Sequence, residues 1–146
     1  MANDIKTIDI QNKAAFQKAT KEGQATLMYL DKAFDNKKYK DASFILKKLI
    51  ISDDGSSRLH LWFALLSVRD GTYLIKPFEL PNGFSRYKNK AIQATKKEIE
   101  DWAIILDNKM YGAYTIRLQR SKLKTEEEKK NFDAYMGVEQ YMNQLP

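Results

Sequence analysis

TKKEIEDWAIILDNKMYGAYTIRL, residues Thr95 to Leu118, is the stretch whose reading decides the fold. Thr95 followed by Glu98 is a capping box. The threonine hydroxyl can accept the Glu98 N–H, and the glutamate can reach back to the Thr95 N–H. Little more than one turn fits before Trp102. The apolar run Trp102-Ala103-Ile104-Ile105-Leu106 then has the length and type of a strand. Asp107-Asn108-Lys109 reads as a tight turn, because Asp and Asn tolerate positive φ. Met110 to Leu118 reads as a long return strand. With Leu106 opposite Met110, Trp102 falls opposite Tyr114 and Gly112 opposite Ile104. One face then collects Trp102, Ile104, Leu106, Met110, Tyr114, Ile116 and Leu118. The other carries Ile105, Tyr111, Thr115 and Arg117. A slip of one residue exchanges the faces.

The chain on either side supplies more strands and two helices. Residues 1–11 are polar with Ile5, Ile8 and Ile10, and read as an edge strand or a trailing end. Asn12 can cap a helix that starts near Lys13. Phe16, Ala19, Gly23, Leu27, Leu30 and Phe34 recur at spacings of three and four, giving one apolar helical face over 12–36. Gly23 marks a break in that helix or a close approach to the sheet. Phe44 to Ile51 is a strand. Asp53-Asp54-Gly55 turns it into a second strand, Leu59 to Val68, which is apolar on both faces and suits a central position. Asp70-Gly71 leads to Thr72–Phe78. Pro77, Pro81 and Asn82-Gly83 end regular structure, and Ala91 to Ala94 is a short strand. Thr125 followed by Glu128 is a second capping box, and Gly137 is a good stop, so a C-terminal helix spans 125–136.

The expected fold is a single α+β domain over 1–146. A curved, mainly antiparallel sheet of about five to six strands, within 42–118, carries the N-terminal helix against it and a C-terminal helix. A half-open barrel is the alternative.

Composition narrows the chemistry. The chain has 146 residues, 43% of them apolar, with 8 Tyr, 7 Phe and 2 Trp. It has no cysteine and one histidine, which removes disulfides, thiolate ligands, cysteine nucleophiles and multi-histidine metal sites. No metal or other cofactor is expected. The N-terminus lacks the apolar core of a signal peptide, and no run approaches transmembrane length, so a cytoplasmic protein without membrane contact is expected. The formal net charge of +6 suits an acidic partner or nucleic acid.

Ile99, Asp101 and Trp102, followed by Gly112, Tyr114, Thr115 and Arg117, resemble the signature of the YegJ-like family of uncharacterised bacterial proteins. His60-Leu61-Trp62 is similar to that family's His-x-Trp strand, and Pro77 to Gly83 to one of its loops. The resemblance covers Ala19 to Leu123. It implies a domain of unknown function, with His60, Trp62, Asp101, Trp102, Gly112, Tyr114 and Arg117 as family-signature residues. It brings no catalytic or ligand residue. An association of such proteins with toxin or defence genes implies an inhibitor or immunity-type role.

No phosphate-binding glycine loop, Gly-x-Ser-x-Gly elbow or His-Glu-x-x-His site is present. His60, inside a two-sided apolar strand, reads as a packing residue, and Asp101 as an ion-pair partner for Arg117. A contact surface is expected instead in the loop 84–97. Between Leu80 and Lys97 the chain has five basic residues, Arg86, Lys88, Lys90, Lys96 and Lys97, and no acidic one. Phe84 and Tyr87 add aromatic area, as in the Arg-and-aromatic clusters of interfaces. Phe84, Arg86, Tyr87, Lys88 and Lys90 are therefore the candidate residues for a protein partner. Nucleic acid at loop 84–97, or an unrecognised enzyme, are the alternatives.

Overall fold

A computed structural model describes the backbone of residues 2–143 and 145–146, and side chains from Lys13 onward except residue 144. The chain opens with one long helix, α1 (Ala2–Phe34). It includes the residues read above as an edge strand or tail, and it passes through Asn12, which therefore does not start a helix. Among its described side chains Ala19, Gly23, Leu27, Leu30 and Ala33 are buried, and their spacing matches the apolar face read from the sequence. Gly23 causes no break. A Cβ there would lie 2.9 Å from both the Asp101 carboxylate and the Glu100 carbonyl, so the glycine lets α1 lie directly on the sheet.

The sheet strands are β1 (Ser43–Ile51), β2 (Arg58–Arg69), β3 (Thr72–Pro77), β4 (Ile92–Thr95), β5 (Ile99–Leu106), β6 (Lys109–Gly112) and β7 (Gln140–Met142). They form an open sheet of seven strands in the order β4-β3-β2-β1-β5-β6-β7. All neighbours are antiparallel except β6 and β7, which run parallel. The fold is α+β and mainly antiparallel, with one strand more than expected because the tail returns to the sheet. Helices α2 (Tyr114–Ser121) and α3 (Glu126–Met136) complete it. Thr125 caps α3 by accepting the Glu128 N–H at 3.1 Å, and Gly137 ends it at φ 69°.

Two corrections concern the hairpin. Asp107 and Asn108 both have positive φ, 52° and 62°, which makes the loop two residues long rather than three. Leu106 therefore pairs with Lys109, and Ile105 with Met110. This is the one-residue slip that moves Met110 to the other face and places Gly112 opposite Ala103. The return strand also stops at Gly112. Gly112 and Ala113 take φ of +75° and +53°, and two successive left-handed residues turn the backbone off the sheet into α2. Residues 114–118 are helix, so Trp102 and Tyr114 are not a strand pair; their rings meet edge-on at 6.4 Å.

The main core lies between α1 and one sheet face, with Leu27, Leu30, Leu46, Ile50, Phe63, Tyr73, Ile75, Trp102 and Ile104 buried together. A smaller cluster on the other side joins Ile45, Ala103, Met110, Ala113, Ile116 and Val138, with Phe132 and Met136 of α3 against it. The second face is thus covered around β5 and β6. Along β2, by contrast, Phe63 and Leu65 are buried whereas His60 and Leu66 are exposed. Covering on both faces was the expectation for this strand, and only the α1 side meets it.

Candidate functional site

Asp101 sits where β5, α1 and α2 meet. A β-bulge between Lys47 and Lys48 sets it opposite Lys47 while Ile99 pairs with Lys48. Its side chain is fully buried. Oδ1 accepts the Trp102 N–H at 2.8 Å and the Tyr114 N–H at 3.3 Å. Oδ2 accepts the Thr115 N–H at 2.8 Å and the Thr115 hydroxyl at 2.6 Å. Helix α2 lacks a capping side chain at its own N-cap, Ala113. A carboxylate from the neighbouring strand takes that role, where free N–H groups and the helix dipole favour negative charge. Burial pushes the Asp101 carboxyl up from its ordinary value, opposed by the hydrogen bonds from Thr115 and Trp102 and by the Lys47 charge. Burial likewise pulls the Lys47 ammonium down, opposed by Glu100 and Asp101.

The signature residues of β5, β6 and α2 gather around this joint. Trp102 is 1% exposed, and its indole N–H donates to the Thr26 hydroxyl of α1 at 2.9 Å. A Cβ on Gly112 would stand 2.8 Å from the Trp102 ring, so the glycine is required for space as well as for its φ. Arg117 does not pair with Asp101 as expected, because the helix N-terminus already occupies that carboxylate. Its guanidinium lies over the Tyr114 ring at 4.7 Å and reaches the Asn143 side chain.

His60 stands apart from the core. Its side chain is 56% exposed, and Nδ1 lies 2.8 Å from Glu100 Oε1. The packing role expected for it fails because its ring stands largely in solvent, held by Glu100. Trp62 is half-buried beside it, opposite Lys47 in the register. A carboxylate-held imidazole is an arrangement that can move a proton. None of the clefts at Trp102, at residues 76–89, at Phe44 or at Tyr114 is lined by His60.

The loop 84–97 is anchored from below. Asp53 accepts Ser85 N–H at 3.0 Å, Ser85 Oγ at 2.6 Å and Arg86 N–H at 3.2 Å. These bonds, the Ser85 hydroxyl first, hold the Asp53 carboxyl below its ordinary value. The Asp53 N–H in turn donates to the Gly83 carbonyl at 2.7 Å. Arg86 Nη2 donates to the carbonyls of Ser52 and Asp53 at 3.1 and 3.2 Å, and Arg86 Cζ lies 5.9 Å from the Tyr87 ring centroid. The Tyr87 hydroxyl accepts the Ile51 N–H at 3.4 Å, and Phe84 is buried in the main core. Lys88, Lys90, Lys96 and Lys97 remain exposed. Beside them Lys76, Phe78, Leu80, Pro81, Phe84, Ser85 and Lys88 border an open cleft of ≈ 540 Å³. Phe78 is 63% exposed.

Residues 13–140 match the model of a family described as uncharacterized proteins conserved in bacteria, DUF2314. The chain belongs to this family. No curated protein and no solved structure matched it.

The DUF2314 chain thus brings Asp101, Trp102, Gly112, Tyr114 and Arg117 together as one structural joint, and leaves His60 exposed and Trp62 half-buried against the second core cluster. Phe84, Arg86 and Tyr87 fold back onto the β1–β2 turn, while Lys88 and Lys90 project. Sequence reasoning required one of the adjacent Lys47 and Lys48 to snorkel or lie near an edge, but missed that half-buried Lys47 stands opposite Asp101. It also missed Asp53 as the anchor of the basic loop, because Asp-Asp-Gly is fully explained as a turn. Among the described residues no helix is long and apolar enough to cross a membrane. No group of three or more His, Cys, Asp or Glu among them is placed to hold a metal ion.

Proposed function

We propose that this DUF2314 protein is a small non-catalytic protein-binding module for an acidic partner. The observation that carries the reading is the loop 84–97, with five basic residues after Leu80 and no acid before Glu98. Glu98 is itself engaged, 3.2 Å from the Lys48 ammonium and bonded to the Thr95 N–H at 2.9 Å. Asp53 beneath the loop is engaged by Ser85 and Arg86, and the four exposed lysines leave a net positive patch that steers an acidic protein into contact. A non-catalytic role is supported by Asp101, the most buried carboxylate among the described residues, being engaged in holding α2. The resemblance to YegJ-like proteins extends the reading to an inhibitor or immunity-type role. The cytoplasm is part of the same proposal, since a cysteine-free chain gains nothing from an oxidising compartment.

The nucleic-acid alternative would use the same charge. It has less support, because the stacking aromatic it needs, Tyr87, is held against the β1–β2 turn.

Affinity capture from bacterial extract tests the proposal, with the wild-type chain and a Lys88→Ser/Lys90→Ser variant immobilised in parallel. The expected result is an acidic protein retained reproducibly by the wild type, released by salt and held poorly by the variant. No reproducible protein at low salt, or equal retention by both, would contradict it.

A further inference from the structure

Strand β4 (Ile92–Thr95) is one end of the sheet, and no strand lies beyond it in the seven-strand order. It pairs with β3 through Thr72–Thr95, Tyr73–Ala94, Leu74–Gln93 and Ile75–Ile92. Alternate residues of such a strand turn their N–H and C=O groups outward, a template for another extended chain; Glu98 already holds the Thr95 N–H at 2.9 Å, so Gln93 is the residue that offers the outward pair. Gln93 and Thr95 are exposed, whereas Ile92 and Ala94 point to the core side. The strand is bracketed by Lys88 and Lys90 before it and by Lys96 and Lys97 after it, all exposed. Its entry adjoins the open cleft that Lys76, Phe78 and Lys88 border.

We propose that an extended acidic segment of a partner protein adds to β4 as a further strand, its carboxylates against these four lysines and its end in the cleft beside Phe78. The inference rests on the protein-binding reading above and names the element and the mode of contact. Charge selects the occupant. In an antiparallel pairing of two copies centred between Gln93 and Ala94, Lys90 of one chain would face Lys97 of the other. That repulsion disfavours a second copy and leaves an acidic strand as the complement. The opposite edge offers a poorer site, since β7 is three residues long and has no comparable charge flank. Main-chain bonds along β4 would give affinity, and side chains alternating between acid and apolar would match its exposed and core-side faces.

The test uses the full chain and two labelled octapeptides, one alternating Glu with Val and one alternating Glu with Pro. They carry equal charge, but the second cannot form a backbone ladder. Fluorescence anisotropy should show the Glu-Val peptide binding at least about tenfold more tightly than the Glu-Pro peptide, with binding reduced about tenfold in Lys90→Glu/Lys96→Glu. Amide exchange on the unmodified protein should show the outward Gln93 amide newly protected by the Glu-Val peptide. Equal affinity for the two peptides without that protection would overturn strand addition while leaving an acidic protein partner in place. No binding of either peptide at low salt would overturn the inference, and the capture experiment then decides separately whether the protein-binding reading stands. Tighter binding of a single-stranded oligonucleotide than of either peptide would overturn both.

Discussion

Asp101 and Thr115 share a 2.6 Å hydrogen bond inside the protein, the threonine hydroxyl donating to Oδ2. Thr115 donates its backbone N–H to the same oxygen, at 2.8 Å. A strand and the helix that follows the next hairpin are thereby fixed to each other by one carboxylate. With Trp102, Gly112 and Gly23 packed at that junction, β5, β6, α2 and α1 meet in a single arrangement.

Trp102→Ala should be among the most damaging single changes. It empties a fully buried indole site and leaves the Thr26 hydroxyl without its donor. A loss on the order of 3–5 kcal/mol is expected in denaturant titration. A change below about 1 kcal/mol would show that the site collapses freely.

Gly23→Ala separates two rules. Helix propensity alone would make the change favourable by about 1 kcal/mol. The added methyl would instead meet Asp101 and Glu100 at 2.9 Å. Net destabilisation of roughly 1–3 kcal/mol is expected from forcing α1 off the sheet. An increase in melting temperature would mean that α1 does not approach the sheet this closely.

Lys47→Met should stabilise the protein at neutral pH. Burial holds the Lys47 ammonium below its ordinary value of 10.5, so the charged form is the one the fold disfavours. That penalty is present below the folded value and disappears as pH rises through it towards 10.5. The advantage of the variant should therefore shrink under alkaline conditions. Stability curves for the two proteins at neutral and alkaline pH check this; an advantage that grows with pH contradicts it.

The β1–β2 turn should respond to acid. Asp54 accepts the Ser56 N–H and the hydroxyls of Ser56 and Ser52, which hold its carboxyl at about 2 instead of 3.8. A depressed value means that the contribution is present above 3.8 and lost as pH falls through about 2. Asp54→Ala should fall below the wild type in thermal stability at neutral pH and converge with it in that acid window. A constant difference across the window would show that the turn bonds do not depend on ionisation.

Much of the fold is legible in the residues themselves. The face of α1, the strands β1 to β4 and the caps at Thr95 and Thr125 follow from local periodicity and turn chemistry. Asp107 and Asn108 signalled the hairpin, but its loop length decides the register, and Lys109 could belong equally to turn or strand. The helix at Tyr114 was hidden because Tyr, Thr and Ile favour strands, and its cap comes from Asp101, thirteen residues earlier. Phe84 and Tyr87 looked like contact residues because sequence shows aromatic area but not the Asp53 anchor that turns it inward. The edge position of β4 is likewise a property of strand order, which no local pattern encodes.

The central claim is that Asp101 holds α2 to the sheet. The most direct measurement is residue-resolved amide exchange of Tyr114 and Thr115 in the wild type and in Asp101→Ala, paired with denaturant unfolding. The wild type should protect both amides. The variant should lose that protection and about 2–5 kcal/mol of stability, as buried donors left without an acceptor require. Amides equally protected in a variant of unchanged stability would contradict the claim.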